Sequence, residues 1–443
     1  MLHILEHCTE AFSLMKTMVI DPRDFISGPF RNCPKCEGNE FGVLQIGGDH
    51  YIRRCRDRKC WFTQTIPLPK IRKKVIYIDQ LAISNMMKVL NPAVKGHEHA
   101  ASDPFWREMF ELLDAVCKLQ LVVCPDSDEH RNESLMSAFY EPLKRVYEHF
   151  SHGISFRDSE WLRQQQIVDL AGAWVRNQAP KFDFDPVRVS HGSIHEWQDR
   201  FIISVDAKYD QFVEMIRVQR ERIHEGLGGC FIEWQKKKRT FSDCYAEEIR
   251  AYGRTILDVY LSWVRHWIEI ERGIRPFDME KYSPPRCASL ITGLNYVFQS
   301  AGIPEADCIA KTAEFLLSDA LAEAPFNRIE ASLFAVMAMK AGAGQKEPPN
   351  RGTSADINIV STLLPYCDAM FIDNRCRALL ADIPHDYKLP YGTHIFSMNT
   401  RDEFLRYLND LKNKCSEDHL MLVNEVYGSR EPYTGIFQRK AAT

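Results

Sequence analysis

Four carboxylates stand where a metal-assisted reaction would use them. Asp79 closes the apolar run Val75–Ile78, and Asp373 closes a second, Ala369–Ile372. Asp356 falls in the first turn of a helical stretch, and Glu133 lies about two helical turns beyond LQLVVC. Glu129 precedes Glu133 by one turn on the same helix face, so either could be the second acid. In open parallel sheets the carboxyl ends of the strands are where ligands bind. Carboxylates gathered there repel one another unless cations hold them, and hard oxygen donors suit Mg²⁺ or Mn²⁺. One or two such ions can activate water and stabilise the leaving oxygen of a phosphodiester. Taken singly, each acid also has a plainer role as a helix cap, a turn residue or a surface charge.

A second constellation lies nearer the start. Cys33-Pro34-Lys35-Cys36 is followed by Cys55 and Cys60, with eighteen residues between the pairs and four within the second. Two close thiol pairs flanking a short β-rich stretch are what a tetrahedral zinc site needs. About forty residues bury too little to fold alone, so the zinc would supply the folding energy. The other ten cysteines stand singly, often in apolar stretches, and read as reduced, buried small side chains.

Basic charge collects on the same segment. From Arg31 to Lys74 eleven Lys/Arg face four Asp/Glu, a local +7 in a chain of net charge -4, which leaves the remainder at -11. Arg53, Arg54, Arg56, Arg58, Lys73 and Lys74 are candidates for phosphate contacts, with Tyr51, Trp61 and Phe62 as stacking faces. The plainer alternative is a solvated or protein-binding knuckle.

These residues need elements to position them. KVIYI and LQLVVC (119–124) read as short strands buried on both faces, separated by a helical FWREMFELLDAVCKL, with a further helix after Pro125. From about 150 to 345 long amphipathic helices dominate, interrupted by the basic turn Lys236–Arg239. After a Gly/Pro-rich loop, residues 356–365 are helical with Ser354 or Thr353 as cap. Strands at 369–372 and 394–397 and a helix at 400–411 follow, and the last thirty residues give little signal. Strands alternating with helices predict an α/β fold with a parallel sheet.

VIYIDQLAIS, LVVCPDSDEHRNES and SADINIVSTLLPYCDAMFIDNRCRALL together resemble the strands and acid-bearing helices of PIN-like nuclease domains. The resemblance covers about 75–145 and 350–412, roughly a third of the chain. It implies a PIN-like parallel sheet flanked by helices, with Asp79, Glu133, Asp356 and Asp373 as catalytic ligands of Mg²⁺ or Mn²⁺. It also implies a preference for RNA over DNA. The expected organisation is a helical N-terminal segment at 1–30, a Cys₄ ribbon at 31–70 and PIN-like parts at 71–149 and 346–413. A helical insertion at 150–345 separates those parts, and a C-terminal tail occupies 414–443.

The leading expectation is a divalent-metal-dependent nuclease acting on RNA or single-stranded DNA, with a structural zinc. Its decorations suit a regulated or defence effector with an oligomeric or regulatory protein partner. An inactive scaffold that binds nucleic acid or protein through the ribbon is the second reading. No G-x-S-x-G elbow and no G-x-x-x-x-G-K-S/T loop occurs, against triad hydrolases and NTPases. Asp79-Gln80-Leu81 lacks the Asp-x-Asp pair of many phosphatases. His130 and His152 read as packed or surface histidines. No apolar run approaches the ~18 residues of a membrane span, and MLHILEHCTE lacks a signal-peptide core. A cytoplasmic protein is expected.

Overall fold

The computed structural model describes residues 21–199, 210–428 and 436–437. Most of the helical expectation for 1–30 lies outside them. Its end is corrected: Pro22–Phe25 is a single 3₁₀ turn capped by Asp21, and Ser27–Arg31 is a strand. Gly28 and Pro29 explain this, because glycine favours and proline permits little helix interior.

Contacts divide the chain into two compact units. One gathers the described residues up to Ile71, the segment from His195 and the chain from Cys415; the other runs from Arg72 to Ile194 and on to Lys414. In the first unit, β1 (Ser27–Arg31), β2 (Phe41–Ile46), β3 (His50–Cys55) and β4 (Thr63–Pro67) form an antiparallel sheet in sequential order. The C-terminal tail, where the sequence gives little signal, holds a helix, Glu417–Tyr427, whose start is capped by Ser416. Trp197 joins this unit: its Nε1–H donates to the Pro69 carbonyl at 2.8 Å, and its ring stacks on His419 and Tyr427.

The second unit is α/β with a parallel sheet. Its strands are β5 (Lys74–Ile78), β6 (Val122–Val123), β9 (Ala369–Phe371) and β10 (His394–Phe396), in the order β10-β9-β5-β6. The antiparallel pair β7 (Ser155–Phe156) and β8 (Ser190–His191) lies between them in sequence. Period-two alternation sends the sheet's side chains into two cores. Val75, Tyr77 and Met370 enter one; Ile76, Ile78 and Phe371 enter the other. The second core is closed by α1 (Gln80–Leu90) and α2 (Phe105–Lys118). Site-bearing α3 (Asp128–Met136) follows, capped by Ser127.

The strand expected at 119–124 shrinks to Val122–Val123, because α2 runs to Lys118 and Gln120 adopts a left-handed conformation. The Gln120 side chain instead accepts from the buried Lys73 ammonium at 2.9 Å. The long helices of the insertion are α4 (Ser159–Val175), α5 (Asp210–Gln235), α6 (Phe241–Glu271), α7 (Cys287–Ser300), α8 (Glu305–Leu316) and α9 (Pro325–Gly342). Leu170, Leu257, Ile291 and Phe315 build a separate helical core. By contrast Ile329, Leu333 and Val336 of α9 pack with Val75 and Tyr77, so the end of the insertion walls the sheet.

Helix α10 (Thr353–Leu363) begins three residues earlier than expected. Asn350 Oδ1 accepts from the Gly352 and Thr353 N–H groups, a role assigned from sequence to Ser354 or Thr353. Helices α11 (Asn374–Ala381) and α12 (Arg401–Asn413) complete the unit. Of the lone cysteines described, seven are buried, Cys415 is half-buried and Cys230 is exposed, contrary to expectation.

Two candidate metal centres

Strand register brings the aspartates together. Ile78 on β5 is paired with Phe371 on β9, so the two parallel strands end level with one another. Asp79 follows the first and donates its N–H to the Phe371 carbonyl at 2.9 Å. Each aspartate then caps the next helix, Asp79 accepting from the Leu81 N–H at 2.7 Å and Asp373 from the Cys376 N–H. The caps fix both carboxylates at the sheet edge.

Asp356 in the first turn of α10 reaches the same place, within the electrostatic influence of Asp79 and Asp373. Burial, reinforced by the charges of Asp79 and Asp373, pushes the Asp356 carboxyl up to about 9. Burial pushes Asp79 up to about 7 against the pull of the Leu81 N–H, with Glu133 and Asp373 adding to the rise. Tyr77, Gln80, Glu129, His130 and Glu133 line the same small cavity.

Sequence left the choice between Glu129 and Glu133 open; α3 presents both. Arg220 of α5 bridges them, Nη2 to Glu129 and Nη1 to Glu133 at 3.2 Å. Asn358 Nδ2 also donates to Glu129 at 3.4 Å. Nothing in the sequence marks Arg220 among its neighbours, and only the fold delivers it to residues 87 and 91 positions away. His130 is buried rather than solvated. Its Nε2–H donates to the Ile78 carbonyl at 2.7 Å, its ring stacks on Tyr77, and burial pulls its pKa down to about 4.

Do these residues fit a divalent ion? Asp79, Asp356 and Asp373 have no Lys or Arg partner among the described residues. Two buried acceptors lining the cavity, Gln80 Oε1 and His130 Nδ1, have no hydrogen-bond partner. Buried carboxyls that hold their protons for want of a counter-charge, together with orphaned acceptors, fit a hydrated hard cation. The carboxylates do not close into a tight cage: among the described residues only the four cysteines bring three or more ligand atoms all within 4.8 Å of one another. Mg²⁺ tolerates that spread, because it uses one or two carboxylates and keeps several waters.

The thiols, in contrast, form a compact group. Cys33 Sγ lies 3.7 Å from Cys60 Sγ, and Cys36 Sγ 3.7 Å from Cys55 Sγ. A tetrahedron with Zn–S bonds of ~2.3 Å has edges of about 3.8 Å. The four cysteines could therefore hold a metal ion such as zinc.

The six candidate phosphate contacts separate. Arg53 is 1% exposed and donates to the carbonyls of Pro29, Phe41 and Glu425. Lys73 is buried on Gln120. Neither reaches solvent, so neither contacts a phosphate in this fold. Arg54 lies over the Trp61 ring at 4.2 Å, Arg56 over Phe30 at 5.5 Å, and Lys74 pairs with Asp368. The Arg58 side chain is 72% exposed, and its Nη2 lies 3.6 Å from an Asp21 carboxylate oxygen. Tyr51 is also buried, its hydroxyl donating to Glu425, which leaves Trp61 and Phe62 half-buried. A signal for this existed: Tyr51, Arg53 and Cys55 alternate along β3 and so share one face with a metal ligand.

No protein-family model matches the chain, and no curated protein or solved structure matches it. No described helix is long and apolar enough to cross a membrane.

Proposed function

We propose that the chain is a divalent-metal-dependent nuclease that hydrolyses phosphodiester bonds, RNA ahead of DNA, and carries a structural zinc in its ribbon. The observation that supports this reading is the convergence of Asp79, Asp356 and Asp373, without a basic partner among the described residues, at the carboxyl edge of a parallel sheet. Asp79, Asp356 and Asp373 would hold Mg²⁺ or Mn²⁺, with Glu133 beside them. Such an ion supplies Lewis acidity toward a phosphodiester and toward water. The helix caps keep Asp79 and Asp373 from swinging away, so the ligands are positioned before substrate arrives. His130, neutral and buried, adds no competing charge. On the ribbon, the exposed Lys35, Arg58, Lys59 and Lys70 are cations that could meet phosphates.

The test is cleavage of labelled single-stranded RNA and DNA by the full chain with Mn²⁺ or with EDTA, beside Asp356→Asn. Expected is metal-dependent cutting that Asp356→Asn lowers by roughly two orders of magnitude or more. Equal cutting by both proteins would place the chemistry elsewhere. No cutting by a folded, zinc-loaded chain would favour a scaffold that binds through the ribbon.

A further inference from the structure

Arg220 divides the acidic cluster in two. Its guanidinium forks onto Glu129 and Glu133, and all three side chains are largely withdrawn from solvent, at 23%, 16% and 28% exposure. Glu129 is pinned from its other side by Asn358, whose Oδ1 accepts from Arg163 at 2.8 Å; Arg163 in turn pairs with Glu330 at 3.1 Å. The glutamate pair thus already has a cation, built into the chain and permanently charged. Asp79, Asp356 and Asp373 have none among the described residues. His130, 2% exposed, lines the same cavity with its Nδ1 unpartnered, a further acceptor facing no protein donor.

We propose that Arg220 stands in for a second divalent ion, so that the site takes one Mg²⁺ or Mn²⁺ per chain at the aspartates. The inference rests on the reading of those aspartates as metal ligands. Its physical basis is competition for oxygen atoms. Carboxylate lone pairs engaged by a guanidinium are not available to a metal, and a divalent ion placed beside the guanidinium meets like-charge repulsion. With Arg220 removed, Glu129 and Glu133 become an unpaired, partly buried pair of hard-oxygen donors, which is costly unless another cation replaces it.

The experiment counts Mn²⁺ bound by the zinc-loaded full chain, by calorimetric titration and by the loss of free Mn²⁺ signal in electron paramagnetic resonance. One ion is expected for the native chain, two for Arg220→Met, and one again for Arg220→Lys, which keeps the charge. Asp356→Asn is expected to weaken the native site tenfold or more. Two ions on the native chain, or one on folded Arg220→Met, would overturn the inference while leaving the aspartate site intact. No Mn²⁺ on the native chain would sink the metal reading itself, and this inference with it. Should Arg220→Met fail to fold, the triple variant Arg220→Met, Glu129→Gln, Glu133→Gln removes the stranded charges. The native count then decides: one ion before and after supports the inference, and a fall from two to one overturns it.

Discussion

Two carboxyls of the acidic site titrate far from their usual range, Asp79 at about 7 and Asp356 at about 9, and burial is the first cause of both. A raised acid pKa means that the folded chain keeps protons that the unfolded chain releases. Stability from these groups is fully present below about pH 4, the unfolded value, and is lost as pH rises through 7 and then 9. Divalent-free, zinc-loaded protein is therefore expected to melt at progressively lower temperature between about pH 6 and 9. Asp356→Asn removes the larger contribution and is expected to flatten the upper part of that profile. Adding Mn²⁺ should flatten it too, because a cation favours the ionised forms. Thermal melts across the range check this, and a native profile that stays level or rises would show that burial and neighbouring charge do not raise these carboxyls in the folded chain.

At the scale of elements, the insertion tests how closely its helices must approach. A Cβ added at Gly253 of α6 would meet the Leu316 carbonyl oxygen at 1.8 Å, a contact with backbone that no rotamer change relieves. Gly253→Ala is expected to destabilise by about 1–3 kcal/mol or more. Gly226 of α5 has nothing within 4 Å of such an atom, so Gly226→Ala should stabilise by roughly 0.5–1 kcal/mol through helix propensity. Denaturant unfolding of both variants measures the pair; equal effects would mean that α6 does not need its glycine. The same scale explains what the sequence could reveal. Asp79 and Asp373 were legible because a short apolar run ending in a polar residue marks a buried strand and its edge. Arg220 was not, because its role depends on where a helix 87 residues from Glu133 is laid down. Gln120 reads as strand in local periodicity, which carries no trace of its side-chain bond to Lys73. Arg53 reads as a surface cation in the sequence because its cover, the helix carrying Glu425, lies 372 residues away.

Across the whole molecule the two units bury apolar surface very unequally. The unit from Arg72 to Lys414 carries three extended cores, two of them shared by the parallel sheet. Among the described residues, the cluster around the ribbon's thiols is Cys33, Phe41 and Cys55, with Cys60 and Phe62 packed against it, while Val43, Ile46, Tyr51, Trp197 and Val426 are buried elsewhere in the unit. So little apolar packing touches the thiol-bearing turns that a structural zinc, worth on the order of 10 kcal/mol, would be the main tie between them. Metal should therefore decide whether the first unit folds, and the second should fold without it. Cys55→Ser is expected to lose the bound zinc, roughly one per chain. It should also open β2 and β3 to proteolysis while leaving most of the helical circular dichroism in place. A strong thiol-competitive chelator should reproduce both changes in the native chain. Zinc content, limited proteolysis and far-ultraviolet dichroism on the same samples decide the matter: a protease-resistant ribbon after zinc loss would mean that Trp197 and the helix Glu417–Tyr427 hold the sheet closed without the ion.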